Sequence, residues 1–223
     1  MNLKLNSSNL PTSFNNVIIE TNDEVTKVRS NLIDLCSIGK WMEEFSILTA
    51  TKWNVRSSVP KGKYIQCKKH FVCHHSSYHK VDKESNKRGL SKNTSCKAQV
   101  KFVIKVDTVS TRKTDPFVKN KLFGVITIWN EHNHSINTAE ALRYLKATDD
   151  LRQTFEEYLN DGMTMTEAIR YHESVMTMMN CSAEDFANAR LNPTYRTVQN
   201  WHEKWRSTHL GPRTGQGVIM VCY

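Results

Sequence analysis

The sequence predicts an α+β protein, with a small antiparallel sheet behind one N-terminal helix and a helical C-terminal segment. Three observations carry this expectation. Between residues 53 and 129, short runs alternate apolar and polar residues with the period of a strand. From about Thr138 the period becomes that of a helix. The positive charge is concentrated in the strand-like region. Residues 52–122 hold 18 Lys or Arg against four acids (Asp82, Glu84, Asp107, Asp115), a local excess of 14 in a chain whose net charge is +9. A basic segment of this kind favours an anionic partner, nucleic acid first.

The elements follow in order. Residues 1–36 are rich in Asn, Ser and Thr and read as a mostly disordered lead-in, with a short strand at most at VIIE. The run SIGKWMEEFSILTA places Trp41, Phe45 and Leu48 at helical spacing. KWNVRSSV and KYIQCKKHFVC read as strands with a Pro60–Gly62 turn between them. Residues 74–95 are polar and basic and read as a long loop. In CKAQVKFVIKV, Ala98, Val100, Phe102 and Ile104 share one face, and Lys97, Lys101 and Lys105 share the other. A second basic loop at 107–121 leads to the strand LFGVITIW. The domains expected are therefore the lead-in 1–36, a sheet domain 37–136 and a helical region 137–223. In that last region Thr164 and Glu167 have capping-box spacing, and Gly162 and Gly211 stand where helices stop. Its final helix reads either as a helix-turn-helix reader offering Arg196, Gln199 and Asn200, or as a bundle helix with Val198, Trp201 and Trp205 in the core. The cluster Met176, Met178 and Met179 reads as core or interface, and a homodimer through the helical region is among the partners considered.

No stretch approaches the ~20 apolar residues of a membrane helix, and no apolar leader opens the chain, so an intracellular protein without a membrane partner is expected. Its six cysteines are then thiols or metal ligands rather than disulfides. Tetrahedral zinc needs four thiolate or imidazole ligands. The candidates are Cys67, Cys73, Cys96, His132 and His134. Cysteines at strand ends and a His-x-His leaving the last strand can tie one end of a small sheet around one ion. Cys67 and Cys73 both remain open as the first ligand, and the loop that Cys73 borders favours it. His70, His74, His75 and His79 are expected to be solvated.

The segments WMEEFSILTATKWNVR (41–56), FVC (71–73), CKAQV (96–100) and EHNHS (131–135) resemble the far-red-impaired-response type of DNA-binding domain. That type belongs with the WRKY, glial-cells-missing and FLYWCH zinc fingers, and it also occurs at the N-terminus of Mutator-like transposases. The resemblance covers about residues 38–136. It implies a WRKY-like fold and one structural Zn2+ on Cys73, Cys96, His132 and His134. It also implies double-stranded DNA bound by a sheet edge, descent from a transposase, and a nuclear location. The string WRKYGQK is absent, so no base preference carries over. Lys52, Arg56, Lys61, Lys63, Lys69, Lys97 and Lys101 are the expected nucleic-acid contacts. Arg56 is the best placed for a base edge, because its guanidinium can pair bidentately with guanine. Catalysis is not expected, because residues 137–223 are largely helical and too few for an integrase-like core. The alternatives are a zinc-stabilised protein-interaction module and the N-terminal part of an active transposase.

Overall fold

A computed structural model describes residues 7–78, 93–136 and 138–211. The chain divides into two compact units, 1–136 and 137–223. Among the described residues no helix is long and apolar enough to cross a membrane.

The first unit is built on one antiparallel sheet. Its strands are β1 (Asn16–Thr21), β2 (Val25–Ser30), β3 (Trp53–Val59), β4 (Ile65–Cys73), β5 (Gln99–Lys105) and β6 (Gly124–Trp129), in the order β1-β2-β6-β5-β4-β3. Helix α1 (Leu35–Leu48) covers one face. It starts at Asp34, whose carboxylate accepts from the Ser37 N–H and whose N–H donates to the Ser37 hydroxyl. Such a cap contributes about 1 kcal/mol. Trp41 and Phe45 are fully buried, stacked 5.0 Å apart, and Trp41 meets Phe102 edge-on at 5.3 Å. The expected third residue of the stripe, Leu48, is exposed, and Ile38 and Met42 complete the buried face instead. Beneath the helix lie Val28, Cys67, Phe71, Val100, Phe102, Ile104, Ile126 and Ile128. The alternation read in β5 is therefore its burial pattern, with Ala98 to Ile104 inward and Lys101 outward.

Two expectations are corrected here. The lead-in is not mostly disordered, because residues 16–30 form a hairpin whose second strand pairs with β6 along its whole length. The Asn22 side chain accepts from the Glu24 and Val25 N–H groups and closes the turn. The inward positions of β2 are Thr26, Val28 and Ser30, two of them small hydroxyls, so no apolar alternation announces the strand. The first unit also has more than one helix. The expected loop at 107–121 contains α2 (Val109–Thr114) and α3 (Pro116–Lys119). They lie on the face opposite α1, because Arg29 alternates with Val28 and packs over Phe117. Arg29 is almost wholly buried, and its guanidinium meets the Asp115 carboxylate at 2.6 Å. Asp115 also pairs with Lys105 and caps α3 by accepting from the Phe117 N–H.

The second unit holds α4 (Ala139–Leu142), α5 (Asp149–Asn160), α6 (Met165–Met178), α7 (Ala183–Ala187) and α8 (Tyr195–His209). Helices α5, α6 and α8 pack around Phe155, Ala168 and Val198. The Thr164–Glu167 capping box is present, and Gly162 and Gly211 both take positive φ after their helices. Met176 is buried, whereas Met178 and Met179 are exposed. Residues 179–194, including α7, separate α6 from α8. The pair therefore lacks the three- or four-residue turn of a helix-turn-helix. Trp201 and Trp205 are half-buried, and Trp205 donates to the Asn160 amide oxygen.

Candidate metal centre and basic sheet edge

The ligands stand where three chain segments meet at one end of the sheet. Cys73 is the last residue of β4, Cys96 precedes β5, and His132 and His134 follow β6. The Cys73 N–H donates to the Ala98 carbonyl, and the His75 carbonyl accepts from the Thr94 and Cys96 N–H groups. These bonds bring both thiols to one level. Asn133, between the two histidines, clasps Thr94 from both sides. It donates to the Thr94 carbonyl at 2.6 Å and accepts from the Thr94 hydroxyl at 2.9 Å. Trp53 packs edge-on to His132 at 5.6 Å and anchors its indole N–H on the Thr51 hydroxyl.

Cys73, Cys96, His132 and His134 form a Cys2His2-like group that could hold one metal ion, with all four ligand atoms within 4.8 Å of one another. The Cys73 Sγ lies 3.2 Å from His134 Nε2, the Cys96 Sγ 3.6 Å from His132 Nδ1, and the two imidazole nitrogens are 3.2 Å apart. Bonds of about 2.0–2.3 Å to a tetrahedral zinc put ligand atoms roughly 3.3–3.8 Å from each other, so the donor set fits such an ion with small adjustments. His134 presents Nε2 to the group, while its Nδ1 lies 2.8 Å from the Ser135 carbonyl and donates to it. That bond fixes the ring and its tautomer, as an outer partner does for a ligating histidine. Hydrogen bonding from Cys73 drives the Cys96 thiol down to about 3 against the opposing effect of burial. His132 and the Ala98 and Asn133 N–H groups add to the lowering. These contacts favour the Cys96 thiolate, the form that ligates.

Cys67 is not part of this group. It sits under α1 in the main core, where burial pushes its thiol up, as for an inert hydrophobic cysteine. His74 and His75 are not solvated. Both are about nine-tenths buried, and the His75 ring lies 4.1 Å from that of His134. The bonds through the His75 carbonyl draw this turn in beneath the metal group. His70 is half-buried against Gln99, and His79 lies outside the described residues. Trp53, Asn133 and His75 were missed as supports, and nothing in their spacing marks them.

The seven cations do not share one face. Among the described residues β3 is an edge strand, with β4 as its one neighbour in the sheet. Lys52 precedes it, Arg56 sits at its bulge, and Lys61 and Lys63 are exposed in the turn beyond it. Lys69 pairs with Phe102 on the α1 side and lies over the Phe71 ring. Lys101 is exposed on the opposite face, 4.6 Å from the Trp129 ring. Lys97 is exposed beside Cys96. Comparison of the chain with protein-family models, curated proteins and solved structures finds no match.

Proposed function

We propose that this chain is a zinc-dependent double-stranded DNA-binding protein of WRKY-like, transposase-derived type, acting in the nucleus by binding rather than by catalysis. The observation that carries the reading is the Cys2His2-like group at the end of a basic sheet whose edge strand β3 pairs, among the described residues, on one side alone. Two thiolates and two imidazoles are the donor set of structural zinc. With four protein ligands the ion has no open position for a substrate, so its task is to hold the loops at 73–76, 93–98 and 130–135 together. The cations along β3 and its turn neutralise phosphates, which makes affinity fall with salt.

The test is selection of bound duplexes from a random pool by the zinc-loaded full chain, repeated after chelation. An enriched motif that disappears with the metal is expected. Binding without enrichment that merely follows charge would overturn the reading in favour of a zinc-stabilised protein-interaction module.

A further inference from the structure

A cavity of about 490 Å3 adjoins the metal group through Cys96. Its wall includes Arg56, Lys97, Ser76, Ser77, Ser95 and Tyr78, and among the described residues no acidic side chain lines it. Three features make it more than a surface dent. Ser76 is only 9% exposed, and its hydroxyl has no hydrogen-bond partner among the described residues. A buried hydroxyl in that state is unfavourable until a ligand or water satisfies it. Arg56 is the extra residue of the β3 bulge, between Val55 and Ser57. A bulge re-aims a side chain. The Tyr78 hydroxyl donates to the Arg56 carbonyl at 2.8 Å, and the guanidinium lies 5.7 Å from the Tyr78 ring. The arginine is thus held at the cavity. The third feature is electrostatic. Cys96 forms part of the wall, and a divalent ion with two thiolates and two neutral imidazoles carries no net charge. Among the described lining residues the charged groups are therefore Arg56 and Lys97.

We infer that this cavity is a phosphoryl-binding subsite, in which Arg56 and Lys97 flank one phosphate oxyanion and the Ser76 hydroxyl donates to it. This assigns Arg56 to the backbone rather than to a guanine edge. The phosphate belongs either to a duplex backbone, in which case the inference rests on the DNA-binding reading, or to a free phosphate group.

The zinc-loaded, 15N-labelled full chain is titrated with inorganic phosphate at constant ionic strength. Saturable shifts of the Ser76, Ser95 and Lys97 amides are expected. Ser76→Ala and Lys97→Gln should weaken them several-fold, and Lys113→Gln on α2 should leave them unchanged. In a second arm, duplex affinity is measured against salt. Arg56→Gln and Lys97→Gln should each lower the log–log slope by less than about 0.9, and the double variant by about 0.9 in all, because both cations serve one phosphate. Unsaturable shifts, or shifts indifferent to Ser76→Ala and Lys97→Gln, overturn the subsite, as does a loss of about 1.8 in the double variant. Saturable phosphate binding by a chain that ignores duplexes upholds the subsite and overturns the DNA-binding reading. Retained zinc content and amide dispersion in each variant separate these results from misfolding.

Discussion

Removing the metal should open one end of the sheet and leave the α1 core folded. The two regions have different sources of stability. Around the ligands the buried apolar side chains are few, namely Cys73, Cys96 and Ala98 with Trp53 against them. Beneath α1 the core includes Trp41, Phe45, Phe102, Ile126 and Ile128, all essentially inaccessible. A ligand at a thousand times its dissociation constant stabilises the form that binds it by about 4 kcal/mol, a factor of roughly 10^3 in opening. Hydrogen exchange followed residue by residue, with zinc and after chelation, reads this directly. The amides of His75, Thr94 and Cys96, which donate to Cys73 Sγ or to the His75 carbonyl, should lose about three orders of magnitude of protection. The amides of β5 and β6 under α1 should lose far less. A single global unfolding on chelation would refute the partition, because it would mean that the α1 core cannot stand without the ion. Unchanged protection at His75, Thr94 and Cys96 would refute the metal site itself.

Cobalt substitution should give the absorption of a tetrahedral site with two thiolates. Cys73→Ala should abolish the corresponding thiolate charge-transfer intensity and Cys67→Ala should spare it, which titration by visible spectroscopy checks. Asp115→Ala should destabilise the first unit by about 3–5 kcal/mol in urea, because it strands the buried Arg29 guanidinium. Burial pushes the Asp115 carboxyl up, but Lys105, Arg29 and the Phe117 N–H outweigh it and hold the carboxyl below its ordinary 3.8. Its stabilisation is therefore complete above that unfolded value and is lost as pH falls through the lower folded one; a urea series from neutral to acid pH should show the wild-type advantage over Asp115→Ala shrinking in that window. Phe155→Ala should cost the helical unit about 3–5 kcal/mol by circular dichroism, since the ring is 1% exposed and contacts Tyr158, His172 and Trp201.

Strands β4 to β6 were readable because their inward residues are large and apolar and their outward ones are lysines or other polar groups, so the two-residue period is written in composition. β2 was not, because its inward positions at Thr26 and Ser30 are small and polar, and the strand is fixed by its pairing with β1 and β6 rather than by hydrophobicity. The helices α2 and α3 were hidden for a related reason. They are too short to show a period, and their place depends on Arg29, distant in sequence, needing the Asp115 carboxylate. The solvated reading of His74 and His75 failed because the backbone bonds at the His75 carbonyl, formed with Thr94 and Cys96, decide their burial.

The sequence by itself determined the α+β pattern, the concentration of charge, and a set of thiol and imidazole candidates of which four could share one ion. Between Cys67 and Cys73 it favoured Cys73 only through the loop that Cys73 borders, and the strand period could not separate them. They are an even number of residues apart on one strand and so face the same way. Only the packed structure separates them. Cys67 falls under α1, where a thiol is one more apolar filling. Cys73 lies one strand-end further on, where β5 and the segment after β6 bring Cys96, His132 and His134 within reach. Side-chain type and period are local properties of the chain, but which equivalent positions meet is set by where the helix ends above the sheet.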